Sequence, residues 1–148
     1  MIHLKDYLDE NNIIFIDEET KEDVLEKMID FLKSKPFVKD FKAFKKALFE
    51  REKIVSTGIG FGIAIPHVKI KEITNFFICI GVHKKGIDWE SIDKKPVKLV
   101  FLIGGPDDHI TYLKLLAKIN LILRNPETRE KLENSKTSKE IFDILSAY

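Results

Sequence analysis

The 148-residue chain holds a single cysteine, and its histidines fall at none of the spacings that ligate zinc, so a disulfide framework and a structural zinc site both lack their raw material. Cys79 stands inside Phe76-Phe77-Ile78-Cys79-Ile80 and reads as a small core residue in a reducing compartment. No apolar run approaches the roughly 20 residues of a membrane span. The opening Met1-Ile2-His3-Leu4-Lys5-Asp6 lacks the charged-then-apolar pattern of a secretory leader. A soluble, cytoplasmic protein without membrane insertion is the expectation. Charge of one sign is missing too: 25 basic residues face 24 acidic ones, net +1, which gives no field to gather nucleic acid or an anionic membrane. Isoleucine at 63 occupies the last glycine's place in G-x-G-x-x-G, no Gly-Lys-Ser/Thr marks a P-loop, and no G-x-S-x-G marks a nucleophile elbow. Neither a cofactor nor a metal is expected.

Arginine is scarce: Arg51, Arg124 and Arg129 are the only three. A guanidinium matches phosphate with a planar fork, whereas lysine offers a point charge. Arg51 opens the stretch that organises the chain, Arg51-Glu52-Lys53-Ile54-Val55-Ser56-Thr57-Gly58-Ile59-Gly60-Phe61-Gly62-Ile63-Ala64-Ile65-Pro66-His67. Glycines at alternate positions let other groups approach the backbone and open φ > 0. Ile63 to Ile65 read as a short buried strand. Pro66 cannot donate to a ladder, which suits a strand's end and puts His67 at a strand terminus. Arg51, Ser56 and Thr57 lie upstream, in a helix end and loop, and can supply anion-binding donors. A histidine beside an arginine and hydroxyls is what a transient phosphohistidine needs: a neutral imidazole as nucleophile and fixed charge for the phosphoryl oxygens.

This run resembles the phosphorylation-site signature of the type 2 enzyme IIA domains (fructose, mannitol and nitrogen-regulatory class) of the bacterial phosphoenolpyruvate-dependent sugar phosphotransferase system. Arg-Glu, Ser-Thr-Gly-Ile-Gly and Gly-Ile-Ala-Ile-Pro-His follow one another without a gap. Gly86-Ile87-Asp88-Trp89 through Leu102 resembles the family's second block. His109-Ile110 through Leu113, with Leu116-Ala117, resembles its "His-Leu, then Leu-Leu-Ala" helix. The resemblance implies that His67 is the phosphoacceptor, charged by the phosphocarrier protein HPr and discharged to a cysteine on a IIB partner for uptake of a fructose- or mannitol-class sugar. The alternative it implies is a nitrogen-related regulatory module whose phosphorylation state controls partner binding. It makes Arg51 a phosphoryl contact and His109 a second histidine near the acceptor, at a helix start where the macrodipole disfavours the imidazolium. Ser56 and Thr57 either donate to the phosphoryl group or shape the turn. Val68 departs from the small residue usual after the acceptor, which raises the question of access to His67.

Elsewhere the patterns are ordinary. Residues 2 to 9 suggest a turn of helix and Ile13 to Ile16 a brief strand. Val24, Leu25, Met28, Ile29 and Leu32 form a helical stripe that Pro36 stops. A second helix from about Lys39 carries Phe41, Phe44, Ala47 and Leu48 toward Arg51. Val68 to Ile73 reads as a connector, Phe76 to Val82 as a central strand, His83 to Gly86 as a turn with a solvated histidine, and Val97 to Ile103 as a strand. Asp107-Asp108 cap a helix with Leu113, Leu116, Ala117, Asn120 and Leu121. A short helix after Pro126 turns Leu132 inward, and a last one carries Ile141, Ile144 and Leu145. Together these predict one α/β domain over residues 1–148, a mixed sheet flanked by helices, and the resemblance implies the type 2 enzyme IIA fold, which is of that kind.

Overall fold

Two long strands form the spine, β5 (Phe77–Ile87) and β6 (Val97–Gly105), paired antiparallel from Phe77↔Gly104 to Ile87↔Val97. The computed structural model that reveals them describes residues 2–148. The other strands are β1 (Leu8–Ile16), β2 (Gly58–Gly60), β3 (Ile63–Ala64) and β4 (His67–Lys69). They complete a six-stranded mixed sheet in the order β1-β5-β6-β3-β2, with β3 and β4 following one another along the same edge of β6. Helices α1 (Lys21–Leu32) and α2 (Phe41–Ile54) cover one face, and α3 (His109–Leu123), α4 (Pro126–Asn134) and α5 (Ser138–Leu145) the other.

Alternation along the two central strands makes both cores. Phe77, Cys79, Val100 and Leu102 join Val24, Leu25, Met28, Phe44 and Leu48 from α1 and α2. Ile78, Ile80, Leu99, Phe101 and Ile103 join Leu115, Ile119, Ile141 and Leu145. A strand buried on both faces reads as an unbroken apolar run, as β5 does, and each buried Leu, Ile or Phe contributes about 1.5–3 kcal/mol. Cys79 is sealed in the first core, and burial pushes its thiol up to about 12. Caps start the helices, Asp108 among them as expected from the sequence. Thr20, Asp40, Asp108, Asn125 and Thr137 each accept a backbone N–H of the first turn.

Four expectations need correction. The strand ending at Ile16 begins at Leu8, and only Leu4–Asp6 form a helical turn before it. A register shift between Leu8 and Ile13 carries the polar Asp9, Glu10 and Asn11 through the pairing, which hides the strand from periodicity. His83 to Gly86 is no turn, because β5 runs on to Ile87. His83 is buried rather than solvated: its Nε2–H donates to the Glu18 carbonyl at 2.8 Å and its Nδ1 accepts Gly86 N–H at 3.0 Å. Val68 to Ile73 is not all connector, since β4 takes its first two residues. Finally, α3 buries Leu115, Ile119, Ile122 and Leu123, whereas Leu113 and Leu121 are exposed. This helix is apolar almost all round, so spacing alone marks no single stripe.

Candidate functional site

The site grows from the end of α2. Arg51 and Glu52 occupy its last turn, and the Arg51 Nη1 donates to the Val55 carbonyl at 2.9 Å, satisfying one acceptor just past the helix. Glu52 turns inward. Its carboxylate accepts the Thr57 hydroxyl proton and meets the Lys21 ammonium at 2.7 Å, with both side chains at most 10% exposed. The Trp89 indole N–H donates to the Thr57 hydroxyl at 3.2 Å, and the Lys21 ammonium lies 5.3 Å over the Trp89 ring. Ser56 donates to the Trp89 carbonyl and accepts Gly58 N–H at 3.1 Å. A buried network therefore clamps the loop from Val55 to Gly58.

Close approach explains one glycine. A Cβ on Gly58 would fall 2.2 Å from Ser91 Oγ and 3.0 Å from its backbone Cα, so β2 can lie here only without a side chain. Beyond it, Gly60, Phe61 and Gly62 all take positive φ, at 94°, 59° and 78°. The Asp93 carboxylate accepts Phe61 N–H at 3.0 Å. Hydrogen bonds from Lys95 N–H and Phe61 N–H hold the Asp93 carboxyl below its ordinary value.

His67 starts β4 rather than ending β3, with Pro66 between the two short strands and its carbonyl accepting Ile103 N–H at 2.9 Å. A strand terminus it remains, in the sense expected. Its Nδ1 lies 2.6 Å from the Ile65 carbonyl. A carbonyl can only accept, so the ring proton sits on Nδ1 and the lone pair is on Nε2. Burial lowers the His67 pKa first of all, and the Arg51 charge adds to this; the Ile65 hydrogen bond and the Glu52 charge oppose it. A neutral imidazole with a free Nε2 is the result. Val68, on the opposite side of the strand, is buried in the core with α1 and α2, so its branched side chain does not narrow the approach to His67.

From α3 the residue brought to His67 is Tyr112. The two ring centroids are 5.8 Å apart at a 52° tilt. Burial raises the phenol to about 12, with the Arg51 charge pulling the other way. Lys69 ties the segment down through Asp107 at 3.1 Å, and its ammonium lies 6.0 Å over the Tyr112 ring. His109 is the first residue of α3, exposed, and no hydrogen bond or ring contact among the described residues joins it to His67.

The structure therefore brings Arg51 and Glu52 within electrostatic reach of His67, and Arg51 within reach of Tyr112, whose ring lies beside the His67 ring. It leaves His109 one turn away from the residue that touches His67. The Ser56 and Thr57 hydroxyl protons are already committed to Trp89 and Glu52, which favours the loop-shaping role over phosphate donation. Sequence reading missed Lys21, Glu52, Trp89 and Tyr112. Tyr112 had a signal, since it follows His109 by three residues and so shares its helix face. Lys21 had none.

A profile described as "Phosphoenolpyruvate-dependent sugar phosphotransferase system, EIIA 2" matches residues 6–148. The chain is 36% identical over 134 residues to the PTS system fructose-specific EIIABC component of Bacillus subtilis, covering 90% of this chain and only 21% of that protein's length. It is 34% identical over 131 residues to the PTS system fructose-specific EIIA component of Haloferax volcanii, covering 86% and 83% of the two chains. The crystal structure of nitrogen regulatory protein IIA-Ntr from Neisseria meningitidis superposes with a TM-score of 0.86 at 25% identity, over 95% of this chain and 97% of that one.

Proposed function

Since the chain belongs to the EIIA 2 family of the phosphoenolpyruvate-dependent sugar phosphotransferase system, we propose that it is the family's phosphohistidine carrier, with His67 as acceptor. The observation that carries this is the hydrogen bond from Nδ1 to the Ile65 carbonyl, which leaves Nε2 as an unprotonated nucleophile. Phosphorylated HPr is the donor in this reading. The Nε2 lone pair forms the N–P bond as the donor's bond to phosphorus breaks, its electron pair leaving with the donor. No base is needed, because Nε2 has no proton to lose. The ring acquires positive charge, and the Ile65 carbonyl, accepting from Nδ1, stabilises it. In the reverse sense the phosphoryl group passes to a IIB cysteine thiolate. Arg51 stabilises charge on the phosphoryl oxygens in both transfers, and catalysis is otherwise positioning.

The Bacillus subtilis relative bears A, B and C components in one name, which supports a IIB acceptor in a fructose-class transporter. The likeness to a nitrogen regulatory protein favours a second reading, in which phosphorylation controls binding to a regulatory partner. Genes for IIB and IIC components beside this one favour transport, and their absence favours regulation.

The test is to incubate the protein with phosphoenolpyruvate, enzyme I and HPr, then to map an acid-labile, base-stable phosphate. One phosphate on Nε2 of His67 is expected; a folded protein that takes none from cognate components overturns the reading. Arg51→Ala should slow transfer by about 10²-fold, the typical cost of losing one charge-stabilising donor, with thermal stability near that of the wild type. An unchanged transfer rate would reduce Arg51 to a cap on the Val55 carbonyl.

A further inference from the structure

We propose that Tyr112 is a catalytic residue of the phosphoryl site, its phenol O–H donating to an oxygen of the phosphoryl group on His67 while Arg51 holds the others; this rests on the carrier reading. Three observations converge on it. The Tyr112 ring is the one α3 brings beside the acceptor, 5.8 Å between centroids and tilted rather than stacked. The Arg51 charge acts on both the imidazole and the phenol. The phenol oxygen is neither hydrogen-bonded to another described residue nor sealed away as a buried unsatisfied atom. It is available to an incoming group.

The phosphoryl group in transfer spreads charge over three equatorial oxygens. A guanidinium fork matches two of them, which leaves one for a third donor. Held near pKa 12, the phenol is a donor at every physiological pH and keeps its proton through both transfers. It also adds no charge. A second cation would tighten the phosphorylated state as much as the transition state and hinder onward transfer; a neutral donor avoids this.

The test uses phosphoramidate, which transfers its phosphoryl group to histidine with no partner protein, the P–N bond breaking as ammonia departs. Rates at His67 are followed by intact mass and 31P NMR. Tyr112→Phe keeps the ring and loses only the hydroxyl. It should label about 10- to 100-fold more slowly than the wild type, the loss of one hydrogen bond to a charged group, with an unchanged melting temperature and circular dichroism spectrum. Labelling within about twofold of wild type overturns the proposal. Tyr112→His supplies the second readout. A titrating donor should introduce an inflection near the ordinary histidine value of about 6.5 that the wild-type rate profile lacks, and a profile of wild-type shape overturns the assignment. His109→Ala should lose less than Tyr112→Phe, and the reverse order hands the role to His109. A wild type that labels with phosphoramidate but never with phosphorylated HPr defeats the carrier reading and leaves the comparison of variants decisive for Tyr112.

Discussion

His67→Gln should take up no phosphate from phosphorylated HPr while melting no lower than the wild type. Glutamine fills similar space on a half-buried site and offers an amide N–H toward the Ile65 carbonyl, but it has no nucleophilic nitrogen. None of the other three histidines has, among the described residues, one ring nitrogen held as a donor and the other left free. His83 has both ring nitrogens engaged, by the Glu18 carbonyl and Gly86 N–H, and His109 stands exposed without a partner. A single phosphate retained on the variant would move the acceptor elsewhere. The same imidazole sets a pH dependence. Because burial and Arg51 lower its pKa, His67 is less protonated in mildly acidic solution than an ordinary histidine. The labelling rate of the wild type should therefore fall on acidification with a midpoint below 6.5, the ordinary histidine value, as protonation removes the Nε2 lone pair. Stability carries the matching sign. Below pH 6.5 the unfolded chain binds a proton that the folded one resists, so the wild type loses stability on acidification. His67→Gln should lose less.

Glu52→Ala should destabilise the fold by about 3–5 kcal/mol, the cost of stranding a buried charge. Its carboxylate meets Lys21 at 2.7 Å, with side-chain exposures of 10% and 5%, too little water to solvate an abandoned ammonium. The Thr57 hydroxyl loses its acceptor in the same stroke. Glu52→Gln separates the two contributions, since the amide oxygen still accepts from Thr57 but leaves the ammonium without a counter-charge. Urea unfolding of the two variants beside Arg51→Ala measures the difference. Arg51 and Glu52 are neighbours in sequence, the first proposed to serve the reaction and the second bound into the scaffold, so Arg51→Ala should spare stability and impair transfer. A Glu52→Ala loss below about 1 kcal/mol would mean that water reaches Lys21 and the clamp is dispensable.

Most of the architecture was open to reading because it rests on local patterns. The helical stripe before Pro36, the apolar runs of β5 and β6, and the caps at Asp108 and Thr137 are each written within a few residues. What escaped depends on contacts between distant segments. Leu8 and Asp9 fall in the expected turn of helix and Glu10 to Asn12 in no expected element, and all are strand only because β5 lies alongside. Lys84-Lys85-Gly86 looks like a turn, yet Gly86 at φ 84° bends β5 without ending it. Arg51, His67 and the glycine run were legible from one continuous stretch. The Lys21–Glu52–Thr57–Trp89 clamp joins residues up to 68 positions apart, and no spacing rule connects them. Tyr112 lies one helix turn beyond His109, and it is the side chain whose ring stands beside His67.

The thiol of Cys79 lies at the centre of the sheet, on β5 opposite Leu102 of β6. It is fully buried, with its pKa pushed up to about 12. Alkylating reagents attack the thiolate, so the folded molecule is inert to them, and modification has to wait for β5 and β6 to part. That makes the lone cysteine a native clock for the opening of the whole sheet. Its alkylation rate, read with and without phosphate on His67, measures how much the charged state tightens the scaffold that carries it.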